Sequence, residues 1–181
     1  MNSWPSSLVM THEAFLTLVI PLQRKLFRFV YHYLRNEEEA KDVVQDAIVK
    51  LWEKRDLLNT VVNLEAWCIK VAKNVMLDRA KYNSYRTTQY LHPHKESSIE
   101  KREEAIQKVE MNDTVNSIQK MIDRLPEKYK LYIVLRDIEG YAYQEIAEIM
   151  AVNLSEVKIG IFRARQAIRR ELQNLESYGL H

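Results

Sequence analysis

A chain of 181 residues, 46% hydrophobic and with only three glycines and four prolines, can bury one modest core or two small ones and is not fibrous or disordered. Its 27 basic and 25 acidic residues nearly cancel to a formal +2, so only local segregation of charge can point to a nucleic-acid partner. Cys68, the sole cysteine, excludes an internal disulfide and a Cys-based zinc cluster, and the lack of a signal peptide or long apolar run predicts a cytoplasmic protein without membrane insertion.

The pattern predicts helices throughout. Thr11 is a candidate N-cap for a short helix carrying Phe15, Leu18 and Val19, which Pro21 must kink or restart. Leu22, Leu26, Phe29, Val30 and Tyr33 then follow a 3.6-residue period. Asn36 and Glu39 form a capping box at the start of a helix expected from Glu37 to about Leu57, and three glutamates favour the positive end of its dipole. Its apolar stripe is Ala40, Val43, Val44, Ala47 and Leu51. On the opposite side Asp42, Asp46 and Glu53 gather with Gln45 and Val49, an acidic face that on spacing alone is a solvated surface.

A connector over 56–63 holds the turn-prone Asn59, Thr60 and Asn63. The helix after it is expected to bury Leu64, Trp67, Cys68, Val71 and Val75 and to carry Lys70, Lys73, Asn74 and Lys81 along one flank. Arg79, Tyr82, Tyr85, Arg86 and Tyr90 extend that flank, and cations interleaved with aromatics suit single-stranded DNA as well as they suit packing. Cys68 reads as a small core residue. The charged stretch after it marks a domain boundary, giving a first domain over 10–88, a partly helical linker over 89–111 and a second domain over 112–176. The second domain's first helix is expected to begin near Ser98 and reach Arg124. His92 and His94 have no carboxylate or thiol company, so no metal is expected there.

Beyond Leu125 the punctuation is that of a helix-turn-helix. Pro126 opens a helix, Gly140 ends it in a left-handed C′ position, and a short helix follows over about 143–150. Asn153 and Glu156 make a third capping box for a helix from Leu154. There Val157, Ile161, Ala164, Ile168 and Leu172 form the buried stripe, leaving Ser155, Glu156, Ile159, Phe162, Arg163, Gln166 and Arg170 outward. An ordinary three-helix packing unit would share this geometry.

The order LPEKY, LRDIEGYAYQEIAEIM, Val157-Lys158 and Phe162-Arg163-Ala164-Arg165 resembles the promoter-reading fourth region of bacterial sigma-70-type initiation factors, most closely the extracytoplasmic-function group. NEEEAKDVVQDAIVKLW is similar to that family's second region, and LEAWCIKVAKNVMLDRAK to its minus-ten helix, so the resemblance covers most of the chain from Phe15 to Leu172. It implies an all-helical protein of two small domains joined by a charged linker, the second a helix-turn-helix. It further implies core RNA polymerase, promoter DNA in duplex and melted form, and an anti-sigma factor as partners.

By the same resemblance Asp42, Gln45, Asp46 and Val49 grip polymerase. Asn59, Asn63, Lys70, Lys73, Asn74, Arg79, Lys81 and Arg86 meet the minus-ten strand, the two loop asparagines serving a flipped base. Ser155, Glu156, Lys158, Ile159, Phe162, Arg163 and Arg165 face the minus-thirty-five element. Four positions depart from the family's usual pattern: Ala142 for a capping Ser, Glu156 for Thr, Ile159 for Ser and Gly160 for Arg. The last three predict unusual specificity and weak isolated binding, which Glu156→Thr with Gly160→Arg should tighten.

Neither a glycine-rich phosphate loop, a nucleophile elbow nor a zinc-binding HExxH is present, so no enzyme and no cofactor is expected. Two rivals share the same features: an autonomous helix-turn-helix regulator that touches no polymerase, and a helical adaptor that binds only protein through exposed Ile159 and Phe162.

Overall fold

The computed structural model describes residues 10–58, 60–90 and 111–177, and every regular element among them is helical. The expected linker, its two histidines, the helix start near Ser98 and Asn59 lie outside the described residues.

In the first unit the predicted caps operate. Thr11 accepts the Ala14 N–H at 3.2 Å and starts α1 (His12–Leu18). Pro21, which cannot donate to a helical ladder, sits in a single 3-10 turn, Ile20–Leu22, ahead of α2 (Gln23–Leu34). Asn36 accepts the Glu39 N–H at 3.1 Å and starts α3 (Glu37–Glu53). This helix stops short of the expected Leu57. Lys54 leaves helical geometry, and a separate turn, α4 (Arg55–Leu58), folds back with the Arg55 guanidinium 4.5 Å from the centre of the Trp52 ring, which buries Leu58.

α5 (Leu64–Tyr90) is capped by Asn63, whose Oδ1 accepts the Ala66 N–H at 3.0 Å. α2, α3 and α5 pack around Leu26, Phe29, Val44 and Leu51, each such side chain contributing about 2 kcal/mol when fully buried. Cys68 is buried among them, and that burial pushes its thiol up to about 12, as befits a core residue.

The second unit comprises α6 (Met111–Arg124), α7 (Glu127–Ile133), α8 (Tyr143–Met150) and α9 (Leu154–Ser177). Pro126 stands one position outside α7, as its cap with ψ 142°, rather than inside its first turn. α7 runs directly into a π-helical turn, Val134–Ile138, where Glu139 N–H bonds Val134 O at 2.9 Å. Gly140 then takes φ 81°, the left-handed conformation expected of it. Ala142 has no side-chain acceptor to cap α8, so only the other half of a capping box is present: the Glu145 carboxylate accepts the Ala142 N–H at 2.8 Å.

The two units share one apolar core. α5 packs on α8, α2 packs on the π turn, and buried residues run continuously from Phe29 and Ala72 to Tyr132 and Ile149. This corrects the expected stripe of α5. Leu64 and Trp67 are only half-buried, whereas Ala66, Ile69, Ala72 and Met76 join Cys68, Val71 and Val75 inside, because the helix is covered on two sides.

Candidate nucleic-acid interface

Asp42, Gln45, Asp46 and Val49 follow one another at helical spacing on the outer face of α3, with Val49 56% exposed among the acids. The face is not free of counter-charge. Arg79, expected on the DNA strip, instead reaches Asp46 at 2.8 Å and Asp42 at 3.4 Å, because a guanidinium on α5 lies within a side chain's length of the acids on its neighbour. In this structure Arg79 is thus paired with the acidic face of α3.

The remaining strip on α5 divides. Asn74 and Lys81 are exposed and Lys70 is half-buried. Lys73, expected on the same open flank, is 8% exposed and donates to the carbonyl of Ile149 at 2.9 Å, the C-terminal end of α8. Burial, and then the charge of Lys70, lower the pKa of its ammonium below the ordinary lysine value. Asn63 is likewise occupied: besides capping α5 it donates through Nδ2 to Glu145 Oε1 at 3.1 Å. The Arg86 side chain lies outside the described residues.

Between α5 and α8 opens a cleft of about 890 Å³, lined by Val61, Val62, Trp67 and Lys70 on one wall and Ala147, Glu148 and Val152 on the other. If Lys70 and Lys81 track a phosphate backbone, replacing both by Ala should lower the salt slope of single-strand binding by about one unit for each phosphate no longer neutralised. Asn74→Ala should alter promoter preference and leave that slope alone. Titrations at several salt concentrations beside a promoter-preference assay separate the two, and an unchanged preference makes Asn74 a surface residue only.

On α9 the assigned register holds. Val157, Ile161 and Ala164 are buried and the last two members of the expected stripe, Ile168 and Leu172, are half-buried, while Ser155, Lys158, Ile159, Phe162 and Arg163 are exposed, the two apolar side chains by 51% and 65%. Asn153 accepts the Glu156 N–H at 2.8 Å, but the Glu156 carboxylate does not complete the capping box; it pairs with the ammonium of Lys128 on α7. That partner raises the Lys128 pKa through the hydrogen bond it accepts. Arg165, expected as a phosphate anchor, is drawn to Asp137 of the π turn, with Nε 3.1 Å from Oδ2.

Gly160 gives the clearest correction. It is buried, and a Cβ there would lie 2.2 Å from the Tyr132 ring, so the position faces α7 and cannot present an arginine to DNA. The sequence shows nothing of Tyr132, Lys128 or Asp137 as neighbours of this helix; only the lone glycine inside a helical pattern signals a close approach. Glu156→Thr alone should still tighten duplex binding modestly by freeing Lys128, and raise its salt slope by about one. An unchanged slope in a binding titration would leave Lys128 out of the interface.

Among the described residues no cluster of His, Cys, Asp or Glu is arranged to hold a metal, and no helix is long and apolar enough to cross a membrane. Two family models match the chain in order: Sigma-70 region 2 over residues 18–85 and Sigma-70 region 4 over residues 116–168. The RNA polymerase sigma-H factor of Pseudomonas aeruginosa is 30% identical over 173 residues, spanning 90% of this chain and 88% of that protein. The ECF RNA polymerase sigma factor SigW of Bacillus subtilis is 28% identical over 175 residues, spanning 90% of this chain and 91% of that one.

The fold is that of the sigma factor RpoE solved with the anti-sigma factor NepR from Bartonella quintana, with a TM-score of 0.71 at 21% identity over 89% of this chain and 98% of that one. It also matches CnrH, solved with the cytosolic domain of CnrY, with a TM-score of 0.62 at 20% identity over 91% of this chain and 90% of that one. With both regions present in the family's order and a relative at 30% identity along nearly its whole length, the chain belongs to the sigma-70 family of RNA polymerase sigma factors, in its extracytoplasmic-function group.

Proposed function

We propose that this sigma factor divides its work among three surfaces. Asp42, Gln45, Asp46 and Val49 on α3 seat it on core RNA polymerase. The open α5 flank of Lys70, Asn74 and Lys81, with the preceding loop, takes the melted minus-ten strand. The outer face of α9, from Ser155 to Arg163, reads the minus-thirty-five element. One observation supports the last assignment best: the exposed residues of α9 form a single row whose buried complement anchors the helix to α7 and α8, which is how a recognition helix is offered to a major groove.

Glu156 and Ile159 make that row chemically unusual, since a carboxylate can accept from cytosine N4 and an apolar side chain can touch a thymine methyl. As in the solved complex of RpoE with the anti-sigma factor NepR, an anti-sigma factor is a further partner. The protein performs no reaction of its own in this reading, and its residence is the cytoplasm, where polymerase and promoter are. Run-off transcription with core polymerase over a promoter library tests the whole: the chain should initiate at a subset of templates sharing two elements. Promoter-specific binding without polymerase, and no initiation with it, would favour an autonomous regulator.

A further inference from the structure

Gly160 lets a residue of α7 come up to the recognition helix. With no Cβ at this position, the Tyr132 ring packs against α9 at a distance that any other residue would close, a Cβ falling 2.2 Å from it. On the α9 side of that ring opens a cavity of about 460 Å³, lined by Lys128 and Tyr132 from α7 and by Ser155, Glu156, Gly160 and Arg163 from α9, among others.

The Tyr132 hydroxyl is the unusual atom here. The residue is fully buried, yet its hydroxyl has no hydrogen-bond partner among the described residues. Buried hydroxyls are normally paired, so one that is not calls for a reason. Burial holds the phenol above the ordinary tyrosine pKa, and the charges acting on it next are those of Lys128 and Glu156, both in the cavity lining. The group is therefore a proton donor at neutral pH, and it lies at the cavity. A donor without an acceptor, an ammonium, a guanidinium and the N-terminal turn of α9 converge on one space. Such a set suits an anion.

The one acid among them, Glu156, is taken up by Lys128: the pair joins α9 to α7 beside the cavity, its side chains 40% and 52% exposed. An exposed pair of this kind contributes little, so a phosphate can take over the ammonium at small cost. Glu156 is then free to turn toward the base edges, where cytosine N4 can donate to it.

We propose that this cavity seats one phosphate of the duplex backbone, Lys128 supplying the charge while the Tyr132 hydroxyl and Arg163 donate to its oxygens. This rests on the assignment of the outer face of α9 to duplex DNA. It adds two residues of α7 to the minus-thirty-five contacts and fixes the register of the row that reads bases. It also accounts for tyrosine rather than phenylalanine at this position: the hydroxyl unpaired in the free chain gains its acceptor in the complex.

The test is fluorescence anisotropy of the full chain with minus-thirty-five duplexes in which single phosphates are replaced in turn by neutral methylphosphonates. For the wild type, one replacement should weaken binding about tenfold, as the loss of a charge-assisted contact does. Tyr132→Phe should bind the unmodified duplex about fivefold more weakly and Lys128→Gln about tenfold. Both variants should become indifferent to that one methylphosphonate while staying sensitive to the others. Tyr132→Phe should at the same time keep or raise the urea midpoint, because it removes a buried hydroxyl that has no partner; a merely structural role predicts no loss of affinity at unchanged stability.

Wild-type affinity in Tyr132→Phe, or a methylphosphonate profile that neither variant alters, overturns the seat. Should Tyr132→Phe not fold, the profile of Lys128→Gln decides by itself. Inorganic pyrophosphate should compete with the duplex only weakly; tight binding of it, abolished in Lys128→Gln, would give the cavity to a free phosphorylated molecule and overturn its assignment to DNA. Failure of the underlying assignment looks different: Lys158→Ala with Phe162→Ala would then leave duplex binding unchanged, whereas a loss in that variant beside intact binding by Tyr132→Phe and Lys128→Gln removes the seat alone.

Discussion

Gly160→Arg should destabilise the protein by about 3 kcal/mol and abolish duplex binding rather than improve it, the upper range for forcing new atoms into a packed core. The first added atom already meets the Tyr132 ring at 2.2 Å. Tyr132 is fully buried in a close-packed core, so its ring has no free space to move into. Gly160→Ala should show the same sign with a smaller size, and Tyr132→Leu combined with it should recover part of the loss, a coupling expected only of neighbours in contact. Urea midpoints for the single and double variants measure this. A Gly160→Arg protein within about 0.5 kcal/mol of wild type would mean that α7 and α9 do not approach so closely.

Asp42→Arg with Asp46→Arg should reduce capture of core polymerase by on the order of 100-fold while leaving the helical circular-dichroism signal intact, because like charges set across an interface cost several kcal/mol. Both side chains are well exposed, 62% and 48%, so the fold does not depend on them. Arg79 sharpens the experiment. In the double variant it faces two arginines in place of two acids, whereas Arg79→Gln alone removes only exposed ion pairs, worth about 0–1 kcal/mol each. If Arg79 serves the acidic face, its loss should shift polymerase affinity slightly and leave promoter preference alone. Undiminished capture by a folded Asp42→Arg, Asp46→Arg protein would remove α3 from the polymerase interface.

What the sequence disclosed was set by locality. The caps at Thr11, Asn36 and Asn153, the left-handed turn at Gly140 and the buried stripe of α9 depend on residues within a turn or two of one another, and they are found where the pattern places them. The outward row of α9 followed, since it is the complement of that stripe. Lys73, Asn63, Arg79 and Arg165 could not be placed in this way. Each has a polar or basic side chain suited to DNA, and each finds its partner at least 28 positions away in the chain, on an element whose packing no local period reveals.

α5 did carry a hint in its Ile69, Ala72 and Met76, apolar residues off the expected stripe that mark a helix covered on more than one side. Gly160 misled in the other direction. An arginine-bearing family pattern suggests lost charge at this position, whereas the physical meaning of a glycine within a helix is the neighbour that comes too close for a Cβ.

The π turn at Val134–Ile138 amounts to one spare residue in the backbone, and that residue has a mechanical meaning. Deleting a single position there would let α7 continue as an ordinary helix, with better hydrogen bonds, while rotating everything after it by about 100°. Glu139 and Tyr141, which now meet α2 and α5, would swing round to another side of the helix. Local regularity has thus been surrendered to aim two side chains across a boundary. An insertion or deletion of one residue at this point would uncouple the halves of the molecule without removing any of the groups that join them.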